Sequence, residues 1–524
     1  MPTYLCPAPP VARAATAAQA CHWPWAPWMW AAGLGTALWI GAAAQAQGLP
    51  AEFEAALARA KVPRDAVAVL VQDTQAAAQT PPRISHRAQA PMNPASVMKL
   101  VTTFAGLDIL GPAYTWTTPV YVDGPVQSGT LQGNLYIKGQ GDPKLVLERL
   151  WLLLRRLQGA GIRQISGDVV LDRTALEVPD ADPSQFDGEP LRPYNASPDA
   201  LLINYKAVLM TFTPQPASGQ ALVQFDPPLA GVQMQASVPL GGHGSATECG
   251  DYRGALRADF SDPNRIRFLG TYPAACGERA WPVAYADPAS YAARAIQGMW
   301  LDMGGRLGGT VRYGNVPAAI AAGKPFIESQ SPALAEVIRD INKYSNNVMA
   351  QQLFLTLGRV PAAGPTATAA PVTPAASGPG TPWPNGNFAA SRALVGRWWK
   401  ERIGSDDAPV LENGSGLSRN ERISAQALGR LLQVAYRSAN MAELMSALPI
   451  TGVDGTLRRF KTRSSGSAHL KTGSLSNVIA RAGYVDAANG RRYVLVAMVN
   501  HANANTEAMR QAMDVLLDVV VREP

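Results

Sequence analysis

The spacing of hydrophobic positions changes along the chain. Apolar residues recur at helical spacing from Glu52 to Lys61, and Val67 to Gln72 is a short apolar run that favours a buried strand. After a proline-rich break at residues 91–94, the run from Ala95 to Leu110 predicts an apolar helix. From about Tyr121 to Tyr285, short apolar runs alternate with glycine and proline, which is typical of strands and turns.

Helical spacing interrupts this strand-rich part once and returns after it. Helices are predicted over Leu145 to Gly159, Tyr291 to Leu307 and Ser331 to Leu357. The end of the chain predicts strands from Ala480 to Asp486 and from Arg492 to Asn500, and then a helix from Thr506 to Arg522. Two strands joined by a tight turn and followed by a helix fit an antiparallel sheet covered by helices. The whole pattern therefore predicts an α+β protein.

Residues 360–387 break the pattern, because they consist mainly of Ala, Pro, Thr and Gly. This composition predicts an exposed low-complexity loop. The position of the loop between helical segments favours an insertion within a domain over a linker between domains.

Composition places the chain among globular proteins. With 524 residues, 47% of them hydrophobic, it can bury large cores and form two or three domains. The net charge of +7 is mild for this length, and no Lys- or Arg-rich run accompanies it, which argues against a nucleic-acid partner. A weakly basic surface suits an anionic cell-wall polymer, but it is also an ordinary property of soluble proteins.

Residues 1–46 have the features of a signal peptide. They contain one charged residue, Arg13, and an apolar run from Trp28 to Ala44 that ends in the small-x-small pattern Ala44-Gln45-Ala46. We expect cleavage before Gln47 and export of the mature chain. An uncleaved membrane anchor is the alternative, although the apolar run is near the lower length limit for a span.

Cysteine usage agrees with export. Cys6 and Cys21 lie in the predicted leader, which leaves Cys249 and Cys276 as an even pair. In an oxidising compartment the two can form a disulfide; two buried free thiols are the alternative. Neither lies near a histidine at metal-ligand spacing, so we expect neither a metal nor a cofactor.

The first candidate for chemistry is Ser96-Val97-Met98-Lys99. A serine three residues before a lysine in one helical turn puts hydroxyl and amine on the same face. If the site desolvates Lys99, its pKa falls and it can take the proton of Ser96. The predicted helix start would also aim backbone N–H groups at the site. Alone, the pattern is weak, because it arises by chance on solvated helices.

Two further patterns lie downstream. Ser345 could cap a helix, or its hydroxyl could relay protons while the Asn347 amide grips a substrate carbonyl. Lys471 and Thr472 offer a cation and a hydroxyl to a substrate carboxylate. Gly473 removes side-chain bulk where an extended substrate could dock along a strand edge. The alternative for this last pattern is a solvated edge strand that runs into a turn.

In this order, the Ser-x-x-Lys, Ser-x-Asn and Lys-Thr-Gly motifs resemble those of the penicillin-recognising serine enzymes. Ser345 lies 246 positions after Lys99, far more than in a compact β-lactamase. Such an insertion resembles that of the D-Ala-D-Ala carboxypeptidase/endopeptidase family of low-molecular-mass penicillin-binding proteins, the S13 peptidases. Segments 133–143 (GNLYIKGQGDP), 193–204 (PYNASPDALLIN) and 413–419 (NGSGLSR) resemble that family too.

The resemblance implies a transpeptidase/β-lactamase-like domain, an antiparallel sheet with helices, over residues 47–118 and 326–524. Residues 119–210 and 286–325 would form an inserted β-rich domain, and residues 211–285 a small β domain nested within it. Cys249 and Cys276 would lie in the nested domain. The enzyme would be periplasmic, either free or loosely associated with the membrane.

The resemblance also implies roles for the motif residues. Ser96 would attack the carbonyl of the penultimate D-alanine with Lys99 as general base, and Ser345 would pass a proton to the departing amine. Asn347 would hold the substrate backbone. Lys471 and Thr472 would bind the terminal carboxylate beside Gly473, or the charge of Lys471 would instead tune Ser345. The N–H groups of Ser96 and Ser474 would form the oxyanion hole.

Less specific positions follow from the same resemblance. Arg419 and Glu189 are candidates for holding the side chain of the third residue of the peptide, and exposed structural charges are the alternative. Asn413 stands where the family often has aspartate, and Gln351 where it often has glutamate. Neither has a primary catalytic role, so we expect altered local hydrogen bonding rather than lost activity.

The implied partners are peptidoglycan stem peptides that end in D-Ala-D-Ala or carry D-alanyl cross-links, and β-lactam antibiotics. A β-lactamase or esterase with the same chemistry is one alternative, against which the long insertion counts. A non-catalytic wall-binding scaffold is another, against which the three intact motifs count. The balance of carboxypeptidase and endopeptidase activity stays open.

Overall fold

The structure is a computed structural model that describes residues 48–77, 80–241, 248–361, 383–404, 407–460 and 462–522. The predicted leader at residues 1–46 lies outside the described residues. The larger part of the predicted low-complexity loop, residues 362–382, also lies outside them. Among the residues described, no helix is both long and apolar enough to cross a membrane.

Helices and strands alternate along the described chain. The helices α1 to α12 are Ala51–Arg59, Lys99–Leu110, Leu147–Gly159, Tyr252–Leu256, Tyr291–Asp302, Ala318–Ala321, Leu334–Lys343, Asn347–Leu357, Phe388–Trp398, Ala425–Tyr436, Met441–Ala447 and Glu507–Arg522. The strands β1 to β24 are Val67–Asp73, Ile84–His86, Pro91–Met92, Thr117–Val122, Val126–Gln127, Thr130–Leu131, Leu135–Lys138, Gln164–Ile165, Val169–Asp172, Ala207–Gln215, Gln220–Asp226, Gln233–Met234, Ser237–Gly241, Ala258–Asp259, Arg265–Phe268, Tyr272–Pro273, Arg279–Ala284, Arg306–Leu307, Val311–Tyr313, Ile327–Gln330, Ile423–Ser424, Ala468–Leu475, Val478–Asp486 and Arg492–Asn500.

A five-stranded antiparallel sheet in the order β2-β1-β24-β23-β22 joins the two ends of the described chain. Alternate residues of β24 point to opposite faces, as strand geometry requires. Val494, Val496 and Met498 join a core that includes residues of α2 and α10. Leu495, Ala497 and Val499 join a second core with α1 and α12. Helices therefore cover both faces, which explains why β23 and β24 are apolar almost throughout.

Most of the remaining strands lie between residues 117 and 330 and form four further sheets. Two of them have the orders β19-β9-β7-β4-β20 and β18-β8-β6-β5, and the other two, β16-β13-β11-β10-β17 and β12-β15-β14, fall within residues 207–284. The first and last strands of this part, β4 and β20, pair with each other. The predicted division into catalytic, inserted and nested domains stays a prediction, which this distribution of strands supports.

Three predicted helices differ from the observed ones. The helix expected over residues 291–307 ends at Asp302, and Arg306–Leu307 pairs with β8 instead, after Gly304 turns the chain at a φ of 78°. The helix expected from Ala95 begins with a 3-10 turn and becomes α-helical at Lys99. The helix expected over residues 331–357 is two helices, α7 and α8, interrupted at Ser345, whose φ is 58°.

This interruption corrects one expectation. Ser345 does not cap the following helix. The N-cap of α8 is Asn346, whose side chain accepts a hydrogen bond from the backbone N–H of Met349. The Ser345 hydroxyl is thereby available for other contacts. In the strand-rich part, Cys249 and Cys276 form a disulfide bond.

The cluster around α2 provides a test of the fold. Phe104 is fully buried there, and its ring lies 5.6 Å from that of Trp398 in an edge-to-face arrangement. Phe104→Ala should lower the free energy of unfolding by about 3–5 kcal/mol, because it leaves a cavity. Denaturant titration followed by tryptophan fluorescence measures this loss. Trp151→Ala, at a ring that is 48% exposed, is the control and should change little. Equal midpoints for the two variants would contradict the core assignment.

Candidate active site

Lys99 lies fully buried at the start of α2 and contacts three oxygen atoms. Its Nζ lies 2.9 Å from Ser96 Oγ, 2.6 Å from Asn347 Oδ1 and 2.5 Å from the carbonyl oxygen of Ser415. The two carbonyl-type oxygens only accept hydrogen bonds. A neutral amine would give its two hydrogens to them and turn its lone pair toward Ser96.

The surroundings favour that neutral amine. Burial lowers the pKa of Lys99 well below its usual value, and the nearby positive charge of Lys471 lowers it further, while Glu421 acts in the opposite direction. Ser96 itself is only partly buried, so its hydroxyl can be reached from outside. The pair thus combines an accessible hydroxyl with a desolvated base, which is the arrangement of an activated nucleophile.

The turn that carries Ser96 is held in a sparsely populated conformation. Ala95 has a φ of 47°, and its N–H donates to Asn93 Oδ1 at 2.8 Å. The Asn93 amide also donates to the Ser418 carbonyl at 2.9 Å, which ties the turn to the loop after Asn413. A Cβ on Gly416 would lie 2.0 Å from the Ala95 carbonyl oxygen, so only glycine fits there. The sequence had given no reason to single out Asn93.

A second serine and lysine lie beside the first pair. Lys471, on β22, is fully buried and donates to Ser345 Oγ at 2.9 Å and to the Thr472 carbonyl at 2.6 Å. Burial lowers the pKa of Lys471 to about 7. The positive φ of Ser345 directs the chain out of α7 and brings its hydroxyl to this amine. The sequence had named both residues and offered an effect of the Lys471 charge on Ser345; the structure adds a direct hydrogen bond between them.

Asn347 links the site to the strand-rich part of the chain. Its Oδ1 accepts from Lys99, and its Nδ2 donates to the Tyr194 carbonyl at 3.1 Å. One turn further along α8, the Gln352 amide makes two hydrogen bonds to the backbone of Asp199, at 3.0 and 2.8 Å. Residues 194–199 therefore pack on the helix that carries Asn347.

Strand β22 forms one edge of the five-stranded antiparallel sheet β2-β1-β24-β23-β22. On it, Thr472 Oγ1 lies 2.7 Å from Thr456 Oγ1, and Ser474 Oγ accepts from Asn505 Nδ2 at 2.9 Å. A Cβ on Gly473 would lie 2.5 Å from the Pro94 carbonyl oxygen and 3.0 Å from the Ser96 nitrogen. The third motif thus lies directly against the turn of Ser96. An edge strand in this position can pair with an extended peptide.

The two less specific candidates, Arg419 and Glu189, have different surroundings. Arg419 donates to the Ser476 carbonyl at 3.1 Å, and its guanidinium lies 4.7 Å from the ring centre of Phe186. Glu189 pairs instead with Arg192 at 3.2 Å, and both side chains are exposed. Phe186 had no distinguishing pattern in the sequence.

The side chain of Asn413 makes its hydrogen bonds within residues 413–417. Its Oδ1 accepts from the N–H and the hydroxyl of Ser415 at 2.9 and 2.7 Å, and its Nδ2 donates to the Leu417 carbonyl at 3.0 Å. The loop therefore presents the Ser415 carbonyl to Lys99 with asparagine in this position.

Two Ser–Lys pairs beside an open strand edge define a serine hydrolase of the penicillin-recognising type. Residues 49–373 and 388–520 match the family described as the D-Ala-D-Ala carboxypeptidase 3 (S13) family, and the chain belongs to that family. The resemblance seen in the motifs is confirmed. A serine-type carboxypeptidase/endopeptidase function in peptidoglycan metabolism follows from the family.

Individual relatives agree with this assignment. The chain is 28% identical over 440 residues to a D-alanyl-D-alanine carboxypeptidase of Actinomadura sp. (strain R39), covering 81% of this chain and 76% of that protein. It is 25% identical over 417 residues to D-alanyl-D-alanine carboxypeptidase DacB of Haemophilus influenzae, covering 78% and 80%. The crystal structure of penicillin binding protein 4 (dacB) from Haemophilus influenzae has a TM-score of 0.65 at 22% identity and covers 89% of this chain and 98% of that one. That likeness confirms the predicted fold class.

The contact between Gly473 and the Ser96 turn yields a prediction. Gly473→Ala should slow acylation of the protein by a fluorescent penicillin more than about tenfold, because the added methyl group pushes β22 away from Ser96. The matched control is Gly396→Ala in α9, where a Cβ meets nothing within 4 Å. Acylation of both variants at the wild-type rate would contradict the close approach.

Proposed function

We propose that Ser96 is the nucleophile and Lys99 the general base of this peptidase. The observation that carries the proposal is the environment of Lys99 Nζ. Two oxygens that can only accept hydrogen bonds lie on one side of the amine, and Ser96 Oγ lies 2.9 Å away. Since burial disfavours the ammonium form, the amine can take the Ser96 proton as the hydroxyl attacks a carbonyl carbon.

The reaction then proceeds through an acyl-enzyme. Attack on the penultimate D-alanine carbonyl forms a tetrahedral oxyanion, which the N–H groups of Ser96 and Ser474 stabilise, each by about 3–4 kcal/mol. Ser345 relays the proton from Lys99 to the departing amine by giving up its own proton and taking that of Lys99, and water then hydrolyses the ester on Ser96. The hydrogen bond from Lys471 to Ser345 supports this relay, because it fixes the hydroxyl beside the first pair.

Lys471 and Thr472 bind the terminal carboxylate of the substrate. An incoming carboxylate favours the charged form of a lysine whose pKa burial has lowered to about 7. Thr472 is partly exposed on the edge strand and adds a hydroxyl donor. Gly473 leaves room beside it for the substrate backbone, and the Asn347 amide orients that backbone from the opposite side.

The substrates we propose are stem peptides with a terminal D-Ala-D-Ala or with D-alanyl cross-links, and β-lactams are the inhibitors. Arg419 holds a charged side chain on the third residue of the peptide. Its place against the Phe186 ring supports this role. The Glu189 carboxylate pairs with Arg192. In the proposed contact it therefore acts as a negative charge outside the direct contact between Arg419 and the peptide.

We also propose that the chain is exported to the periplasm after removal of residues 1–46. The leader-like composition of those residues and the disulfide between Cys249 and Cys276 support this location. We expect any association of the mature chain with the membrane to be loose.

Mass spectrometry after incubation with penicillin tests the nucleophile. Wild-type protein should gain one penicilloyl group on the peptide that contains Ser96, and Ser96→Ala should gain none. Ser446→Ala, at an exposed serine of α11, is the control and should be labelled like wild type. Wild-type protein that stays unlabelled would overturn the proposed function.

The same variants distinguish the bonds that are cleaved. Incubation with a purified pentapeptide and with a cross-linked dimer, followed by mass spectrometry, reports both reactions. Release of D-alanine from the pentapeptide alone indicates a carboxypeptidase, whereas cleavage of the dimer as well indicates endopeptidase activity. Neither product should form with Ser96→Ala.

Arg419 gives a separate prediction. Arg419→Ala should lower kcat/KM by about tenfold for a stem peptide whose third residue carries a free carboxylate, mostly through KM, because a charge-assisted hydrogen bond is lost. Acylation by penicillin, which lacks that side chain, should change less than about twofold. Arg397→Ala, at an exposed arginine on α9, serves as the control. Equal losses for peptide and penicillin would contradict a side-chain contact.

A further inference from the structure

Glu421 is a fully buried acid that the mechanism above does not use. Its Oε1 accepts hydrogen bonds from three successive backbone N–H groups, those of Glu412, Asn413 and Gly414, at 2.9, 3.0 and 3.0 Å. Its Oε2 has no hydrogen-bond partner in the described part of the chain. Burying a carboxylate is costly, and three backbone donors aimed at one oxygen favour its ionised form.

The backbone that Glu421 holds leads directly to Lys99. Gly414 donates to Glu421, and the next residue, Ser415, presents its carbonyl oxygen to Lys99 Nζ at 2.5 Å. Gly414 is also fixed from its other side, because Thr102 Oγ1 donates to its carbonyl at 2.6 Å. With a φ of 72° and no room for a Cβ, this position requires glycine. A change at Glu421 is therefore transmitted to the acceptor that holds the amine of Lys99.

The charges around Lys99 give Glu421 a second effect. The groups that contact Lys99 come from the Ser96 turn, from α8 through Asn347 and from the Ser415 loop, and all are neutral. The charged groups that act on Lys99 are Lys471, which lowers its pKa, and Glu421, which raises it. Burial, Lys471 and Glu421 together thus decide the pH at which Lys99 loses its proton.

We propose that Glu421 is a positioning residue for acylation: its ionised carboxylate fixes the loop that presents the Ser415 carbonyl to Lys99, and it balances part of the positive charge of the buried Lys99. The proposal rests on the proposed function, in which Lys99 is the base. Burial raises the pKa of Glu421, whereas the three N–H donors and Lys99 oppose that rise. The carboxylate and the amine therefore stabilise each other in their charged forms.

The sign of the effect on acylation follows. Acylation requires neutral Lys99, so its rate rises with pH through the pKa of Lys99. A negative charge at Glu421 keeps that pKa higher than burial and Lys471 alone would set it. Without the charge, Lys99 loses its proton more easily, and the rising limb of the profile moves to lower pH.

The experiment measures the rate of acylation by a fluorescent penicillin between about pH 5 and 10 in the full-length protein. Glu421→Gln keeps an oxygen acceptor for the three N–H groups and removes the charge. It should shift the rising limb down by about one pH unit and leave the high-pH rate within about threefold. Glu421→Asp, which restores a carboxylate, should return the limb toward that of wild type.

A second variant tests the positioning effect. Glu421→Ala removes both charge and acceptor and leaves three buried N–H groups without a partner. It should shift the limb in the same direction and also lower the high-pH rate at least about tenfold. If this variant does not fold, Glu421→Gln still decides the question of charge.

The matched control is Glu412→Gln. Glu412 lies in the same loop, but its side chain is exposed and accepts a hydrogen bond from Ser418 Oγ. Because solvent screens this charge, its removal should leave the limb in place. An unmoved limb in Glu421→Gln, a uniform loss of rate at every pH, or an equal shift in Glu412→Gln would each overturn the proposal. Wild-type protein that is not acylated at all would instead refute the proposed function.

Discussion

The exclusion of water from one amine governs the arrangement of this active site. Lys99 is fully buried, and its hydrogen-bond partners come from parts of the chain far apart in sequence: the turn of Ser96, Asn347 on α8 and the Ser415 carbonyl. In water a lysine would stay protonated and the serine inert. The closely packed core of α2 and the constrained glycines of the 414–416 loop keep water away from the amine and hold its acceptors in place. Burial acts in the same way on a second lysine, Lys471, whose pKa it lowers to about 7.

Much of this site could be predicted from the sequence, because its chemistry lies in short patterns with fixed spacing. Ser96 and Lys99 are three residues apart, so a single helical turn brings them together. Lys471 to Gly473 form a strand, and alternation sets which side chains share a face. The buried strands and most helices could likewise be predicted, since the periodicity of hydrophobic residues reflects which side chains are buried. The helix expected over residues 331–357 failed at Ser345, because apolar periodicity does not register a single residue with positive φ.

What the sequence could not provide depends on contacts between distant segments. Asn93 and Glu421 have no motif of their own; each acts through a backbone group that only the folded chain brings near. Glu421 lies in the polar run Asn420-Glu421-Arg422, which in a sequence looks like an exposed turn. Glu189 illustrates the reverse case. Its charge suggested a contact with substrate, but its nearest partner in the fold is Arg192, three residues along the chain.

The pairing of β1 with β24 also determines at what point in synthesis and folding the site can assemble. Val67 lies opposite Val499, and Ser96 depends on Gly473, so each half of the site meets its counterpart only after several hundred intervening residues have been made. Contacts of such long sequence separation cost loop-closure entropy and are slow to form. A chain interrupted during synthesis before β22 would carry Ser96 and Lys99 without the second lysine or the strand edge. Such a fragment would hold only one part of the proposed site, and the site would assemble only once β22 is in place.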